Sequence, residues 1–331
     1  MKFLFCGLGS IGKRHIANLS LLPGNHTLSA FRSGFSKDDA FVAKYQIKTL
    51  HDYKEALKER PDAVFVTNPS SFHVDTALRA VDENCHLFIE KPLSSSLDGV
   101  DELIERVNRR QRTAMVGCNF RFNKGIRLIR EMIQQNRIGR ILSIRAQYGN
   151  YLPYWHPWDD YRNMYFAKER LGGGVVLDLI HEIDYIYWML GSPKEIFAYS
   201  GKLSNLEIET EDFAEILLRY DDGKVASIHL DCIQRQAERN CRIVGEKGII
   251  TWDYFENEVR FFSEGMDNWQ TVPLGAADPN DMYLEEMKHF ISCLEGKEKP
   301  LVPLIEGKNA LKIALAVKES SRNGKVVVWA S

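Results

Sequence analysis

Residues 1–19 read MKFLFCGLGSIGKRHIANL, and this stretch decides the fold. Lys2 to Cys6 is a short apolar run of the kind that forms a buried strand. Gly7-Leu8-Gly9-Ser10-Ile11-Gly12 follows at once, and Ile11, Ile16 and Leu19 then recur as in a helix. Strand, G-x-G-x-x-G, helix is the order that a dinucleotide-binding turn requires. Gly7 allows the tight turn, Gly9 lets the backbone approach a pyrophosphate, and Gly12 lets the helix pack on the strand. The helix start at Ser10 and Ile11 turns its unpaired N–H groups toward the phosphate charge.

The rest of the chain sets bounds on this reading. At 331 residues it exceeds what one hydrophobic core usually organises, so two domains are expected, 1–118 and 119–331. Apolar content of 44% and charged content of 27% describe an ordinary globular protein. A formal net charge of −2 gives no argument for nucleic acid or a membrane surface as partner. No apolar run reaches the ~18 residues of a spanning helix. The apolar start runs straight into the glycine turn and does not read as a signal peptide. Six cysteines and nine histidines are scattered, with no CxxC and no HExxH. We therefore expect free thiols, a reducing compartment with the cytoplasm as default, and no metal site.

After the first helix, Thr27 to Phe31 reads as the second strand. In NAD-binding folds an acidic residue near its end bonds the ribose 2′-OH. Here Phe31-Arg32-Ser33 stands in that place. A guanidinium and a hydroxyl suit a 2′-phosphate, which favours NADP(H) and leaves NAD(H) as the other candidate. Ala63 to Thr67 reads as a strand ending in Asn68-Pro69-Ser70-Ser71. The next helix carries Val74, Ala77, Leu78 and Val81 on one face. His86 to Ile89 is another strand, ending in Glu90-Lys91-Pro92, and Thr113 to Cys118 closes the sheet. Strands alternating with helices give a parallel, doubly wound Rossmann-type sheet. Its ligands bind beyond the C-terminal strand ends, where Gly7–Gly12, Thr67–His73 and Glu90–Pro92 all fall. Thr67, Asn68, Pro69, His73, Glu90 and Lys91 join the glycine turn, Arg32 and Ser33 as the expected cofactor-binding set.

Beyond Cys118 the texture changes. One helix (Ile126, Ile129, Ile133) leads into a strand alternating Leu142, Ile144, Ala146 and Tyr148 against Ser143, Arg145 and Gln147. A long aromatic loop follows from Tyr151 to Arg162. Leu171-Gly172-Gly173-Gly174 then opens a helix expected to run unbroken from Val175 to Leu190. Strand-like stretches at 196–202, 212–220, 224–231, 240–244, 248–254 and 258–262 read as an antiparallel meander. Helices over 283–294 and 310–320 and a strand over 326–329 finish the chain, with 265–281 as a loop. The second half is thus an α+β domain with an open, mainly antiparallel sheet.

Together these pieces resemble the Gfo/Idh/MocA family of NAD(P)-dependent oxidoreductases. The resemblance rests on GLGSIGKRH (7–15), VTNPSSFH (66–73), EKP (90–92), NFRF (119–122) and GGGVVLDLIHEIDY (172–185). It implies a cofactor domain, a second domain carrying substrate contacts, and a homodimer or homotetramer formed through the second domain's sheet. It also points to Lys91, at a strand end beside the cofactor, as a proton-transfer group. Partial burial and the oxidised nicotinamide's positive charge would lower the pKa of a lysine there, which suits it to take the hydroxyl proton. His181 is the second such group, with Asp178 to orient it. The family's usual spacing is D-x-x-x-H, whereas Asp178 and His181 are three apart. Matching from the left keeps Asp178, and matching from the right keeps His181.

Trp155, His156, Tyr161 and Arg162 are expected substrate contacts, because aromatic faces stack on sugar C–H surfaces and arginine forks onto anions. Arg121 is read as an ion-pair strut or a ligand contact. The implied reaction is hydride transfer between nicotinamide and a secondary hydroxyl or ketone of a sugar, sugar acid or sugar nucleotide. Two other readings stay open. In one, a retained cofactor is recycled during elimination, epimerisation or glycoside cleavage; in the other, the protein is a sensor that binds dinucleotide and sugar without turnover.

Overall fold

The computed structural model describes residues 1–331 except 33, 35–38, 156, 277, 330 and 331. The chain forms two compact units: Met1–Asn119 with Asn280–Lys308, and Phe120–Pro279 with Asn309–Ser331. In the first, β1 (Lys2–Cys6), β2 (Thr27–Phe31), β3 (Lys48–Leu50), β4 (Ala63–Val66), β5 (His86–Glu90) and β6 (Ala114–Gly117) make one sheet, ordered β3-β2-β1-β4-β5-β6. Every neighbouring pair is parallel. Crossovers carry α1 (Ser10–Ser20), α2 (Asp39–Lys44), α3 (Tyr53–Lys58), α4 (His73–Asp82) and α5 (Val100–Arg109). The short β3 and α2 were not anticipated from the sequence. Strand order reverses between β1 and β4, and a doubly wound sheet binds ligands beyond the strand ends at that switch point. The glycine turn leaves β1 there, and the Thr67–Phe72 loop leaves β4.

The second unit contains α6 (Lys124–Gln134), β7 (Ile141–Gly149), the short α7 (Val175–Asp178) and α8 (His181–Leu190). Then come β8 (Glu195–Gly201), β9 (Phe213–Arg219), β10 (Val225–Asp231), β11 (Glu238–Gly245), β12 (Gly248–Asp253), β13 (Glu258–Ser263) and β14 (Gln270–Pro273). The last elements of the chain are α9 (Asp281–Leu294), α10 (Leu304–Asn323) and β15 (Val327–Val328). The second sheet runs β14-β13-β12-β11-β7-β10-β9-β8-β15. It is mixed rather than a plain meander, because β7 enters at the centre and pairs parallel to β10 and antiparallel to β11. Inside the stretch expected to be a loop, β14 pairs with β13.

One part of the chain returns to the first unit. The expected second domain ran unbroken from 119 to 331, yet Asn280–Lys308, including α9, clusters with the first unit. The reason is aromatic packing. Phe5, Phe65 and Phe88 come from neighbouring strands, with Phe5–Phe65 stacked at 4.5 Å and Phe65–Phe88 at 5.1 Å. Phe290 of α9 stands edge-on over Phe65 and Phe88 at 5.5 and 5.3 Å, and Met287 is buried beside it in the same core. Burying one such ring stabilises by about 1.5–3 kcal/mol, enough to hold a helix on the sheet. Among the described residues, no helix is long and apolar enough to cross a membrane.

Candidate active site

The glycine turn is built as a phosphate site demands. Gly7 has φ of 113°, and a Cβ there would lie 2.8 Å from the Thr67 carbonyl oxygen. At Gly12 a Cβ would collide with the Gly7 carbonyl, so the helix seats on the turn only without one. At Gly9 a Cβ would meet no atom within 4 Å, leaving open space beside the backbone. Gly9 caps α1 with no side-chain hydrogen bond, and the first turn, starting at Ser10 and Ile11, carries no acidic residue. The helix therefore offers positive N–H groups, and the turn's geometry fits a dinucleotide pyrophosphate.

The β4 loop braces this turn. Thr67 Oγ1 donates to the Gly7 carbonyl at 2.8 Å, and Asn68 Nδ2 donates to Thr76 Oγ1 at 2.9 Å. Pro69 leads into the single turn Ser70–Phe72. Thr67 Oγ1 and Asn68 Nδ2 thus bond within the protein. His73, expected among the cofactor-binding residues, is buried to 1% exposure. Its Nδ1 lies 2.9 Å from the Pro92 carbonyl oxygen and its Nε2 2.8 Å from that of Asn68. Burial is the largest influence on this ring and pushes its pKa down. The ring lies between the carbonyls of two loops, and in its neutral form its one N–H donates to one of them.

Glu90 ends β5 and is also buried. Its Oε1 is 2.5 Å from His15 Nε2, and its Oε2 accepts the Lys91 backbone N–H at 3.2 Å. Lys91 itself is half-buried, and the Lys91–Pro92 peptide is cis. The nearby Tyr283 phenol is pushed up by burial first, with Arg14 and Lys91 opposing and Glu90 adding. At the end of β2, Arg32 donates its backbone N–H to the Leu50 carbonyl at 3.0 Å, while its own carbonyl meets His51 Nδ1 at 3.0 Å. Ser33 and His156 lie outside the described residues.

In the second unit Gly172 and Gly174 take φ of 82° and 101° and turn the chain into α7. The helix expected over 175–190 is broken. Leu179 and Ile180 leave the helical pattern between α7, which ends at Asp178, and α8, which begins at His181. The three-residue spacing is thus not a shared face on one continuous helix. Asp178 and His181 are both largely buried, and the His181 ring sits 4.8 Å from that of Phe120.

Arg121 settles into the first of its two expected roles. Its Nε donates to Asp184 Oδ2 at 2.9 Å and its Nη2 to Oδ1 at 2.8 Å, with neither side chain exposed. The Trp188 ring lies 5.3 Å from the guanidinium. The pair is a two-pronged, buried strut. Arg162 is exposed, and Asp160 and Glu207 already hold its guanidinium. Tyr161 Oη accepts the Glu207 backbone N–H at 3.3 Å. Trp155 is half-buried, meets Phe166 edge-on at 5.0 Å and donates its indole N–H to the Asn150 carbonyl. The guanidinium of Arg162, the expected anion contact, is thus shared by two carboxylates at the surface.

Sequence reading assigned no role to Arg239, which lies between the rings of Phe120 and Tyr148 at 3.9 and 3.8 Å. It also forks onto Glu182, the neighbour of His181, at 2.7 and 3.0 Å. Strand parity could have flagged it, since Arg239 shares the buried side of β11 with Cys241 and Ile243.

Comparisons with known proteins follow the same division. The model for the oxidoreductase family with NAD-binding Rossmann fold matches residues 1–118, and the GFO/IDH/MocA C-terminal domain model matches 126–251. The chain is 29% identical over 334 residues to myo-inositol 2-dehydrogenase of Thermotoga maritima, covering 97% of this chain and 96% of that one. It is 24% identical to 1,5-anhydro-D-fructose reductase of Ensifer adhaerens, covering 96% of each. Levoglucosan dehydrogenase in complex with NADH shares the fold at a TM-score of 0.89 and 18% identity, covering 100% of this chain and 99% of that one. With both of its domains matched, the chain belongs to the Gfo/Idh/MocA family of oxidoreductases.

Proposed function

We propose that this oxidoreductase moves a hydride between a nicotinamide cofactor and a secondary hydroxyl or ketone of a sugar or cyclic polyol. The observation that carries the reading is the Gly7–Gly12 turn, with open space beside Gly9 and an uncapped helix start behind it. Gly7, Gly9, Gly12 and the N–H groups from Ser10 and Ile11 would hold the cofactor's pyrophosphate. When bound, the cofactor supplies or accepts the hydride. The protein must then handle the hydroxyl proton.

Lys91 is the group we assign to that proton, from its place directly after β5 and its half-buried stem. His181 is the second, with Asp178 in its vicinity along the chain. The substrate class is supported by the relatives named above, whose own names specify inositol and anhydrofructose. Trp155 and Tyr161 would contribute aromatic surface to it. We assign a preference for NADP(H) to Arg32, which takes the place of the usual ribose-binding carboxylate. Association of like chains through the second sheet is supported by Phe197, Tyr199 and Leu217, which are exposed while Ile196, Ala198 and Ile216 beside them are buried. All six cysteines are free and buried, which suits a reducing compartment.

The test is direct. The purified protein is mixed with NADPH or NADH and a panel of keto-sugars, and with the oxidised cofactors and polyols including myo-inositol. The reading expects an absorbance change at the nicotinamide band with at least one member of the panel. Tight cofactor retention and product formation without that change would move the assignment to a net non-redox reaction.

A further inference from the structure

The backbone on both sides of Lys91 is held by a buried histidine. On one side, His15 Nε2 stands 2.5 Å from Glu90 Oε1, while the other oxygen of that carboxylate takes the Lys91 N–H. On the other side, His73 Nδ1 is 2.9 Å from the carbonyl oxygen of Pro92. Both imidazoles are shielded, at 0% and 1% exposure. They come from different crossovers: His15 lies on α1, directly behind the glycine turn, and His73 opens α4, directly behind the Asn68 loop. The other ring nitrogen of His73, Nε2, lies 2.8 Å from the Asn68 carbonyl oxygen, so the ring is wedged between that loop and Pro92.

We propose that His15 and His73 are positioning residues that together hold the backbone from which the Lys91 amine projects, each from beside one of the two loops of the cofactor turn. This rests on the assignment of Lys91 as the proton-transfer group. A buried histidine 2.5 Å from a carboxylate is more than a filler of space. Glu90 would otherwise be a buried carboxylate with little beyond one backbone N–H, and burying a charge without partners is costly. With His15 in place the carboxylate is pinned in one rotamer, and its second oxygen sets the orientation of the Lys91 peptide. His73 fixes the peptide that follows. A lysine stem already has four rotatable bonds, so movement of its Cα would spread the amine over a still wider volume. Neither histidine is a catalytic residue, since each acts through its neighbour on the backbone.

The inference separates from a general role in stability through two measurements. The first uses the cofactor-free protein and competitive acetylation with acetic anhydride, read lysine by lysine by mass spectrometry. His15→Ala and His73→Ala are expected to raise the acetylation rate of Lys91 several-fold while Lys58, exposed and distant in sequence, keeps its rate. Conservative His15→Gln and His73→Asn, whose amides still donate an N–H, are expected to restore the slow rate. An unchanged Lys91 rate in both alanine variants overturns the proposal, as does an equal rise at every lysine.

The second uses turnover of whichever panel substrate reacts. Each alanine variant is expected to lower kcat on the order of 10–100-fold, the usual effect of losing a group that orients a reacting one, with KM little changed. Added to Lys91→Met, the same changes should lower kcat no further, because groups that act as a unit are non-additive. Additive losses in that background would overturn the proposal. Full turnover by Lys91→Met would instead remove the assignment of Lys91 and leave the acetylation result to decide the clamp alone.

Discussion

Arg121 and Asp184 meet in a two-pronged ion pair with Nε–Oδ2 of 2.9 Å and Nη2–Oδ1 of 2.8 Å, both side chains wholly buried. The pair joins the segment just after Asn119 to α8, the helix that begins with His181. Removing one partner strands the other charge in the interior. Arg121→Ala is therefore expected to destabilise the protein by about 3–5 kcal/mol, whereas Arg121→Met combined with Asp184→Leu should cost clearly less than either single change. Urea unfolding of these variants checks this, and a double change at least as costly as Arg121→Ala would refute it.

Phe290 decides to which unit α9 belongs. It packs edge-on against Phe65 and Phe88 of the parallel sheet. Phe290→Ala should cost about 3–5 kcal/mol, as a cavity left under a large ring does. Hydrogen exchange should show the loss of protection in β4 and β5 and not in β8 or β9. The opposite distribution would contradict the packing described.

His229 supplies a pH dependence within the second sheet. Asp231 lies 2.8 Å from Nε2 and Glu215 2.7 Å from Nδ1. The hydrogen bond to Asp231 comes first and Glu215 supports it, and together they hold the imidazolium up to about 9 against the opposing effect of burial. Since the folded value lies above the unfolded one of about 6.5, the stabilisation is complete below that value and is lost as pH rises through 9. His229→Gln is expected to cost on the order of 1 kcal/mol at pH 6. Melting temperatures of the two proteins between pH 6 and 10 should converge at the alkaline end, and a gap that widens there would contradict this.

Arg32 should set cofactor choice. NADPH is expected to bind more tightly than NADH, and Arg32→Ala should reduce the ratio by roughly 10–100-fold, the range for losing a charged hydrogen-bonding partner. Titration of each cofactor by its fluorescence measures it. Equal affinities in the unaltered protein would contradict the assignment.

The glycine turn and the alternation around it were readable because they are local. Three glycines at fixed offsets, an apolar strand before them and a helix face after them need no knowledge of the rest of the chain. The same is true of Val74, Ala77 and Val81, which lie buried on α4 as their spacing implied. What lay hidden depends on pairings far apart in sequence. Nothing near Arg121 announces Asp184, sixty-three residues on. Nothing in the α9 sequence says that Phe290 reaches back to Phe65. The central place of β7 was concealed because alternation shows that a strand has two faces and not which strands flank it. The break after Asp178 was concealed too, since Val175–Leu190 carries no proline or glycine before Gly191. The neighbours of His73 were not readable either, because a histidine after a strand-end loop looks the same in sequence whatever its ring meets.

The assignment of Lys91 meets its most direct test in steady-state turnover by Lys91→Met and His181→Ala, beside titration of the cofactor into each. Loss of a proton-transfer group lowers kcat by about 10²–10⁴-fold, and here the fall should persist at cofactor concentrations that the titration shows to be saturating. Turnover by Lys91→Met at the rate of the unaltered protein, with cofactor bound, would contradict the account.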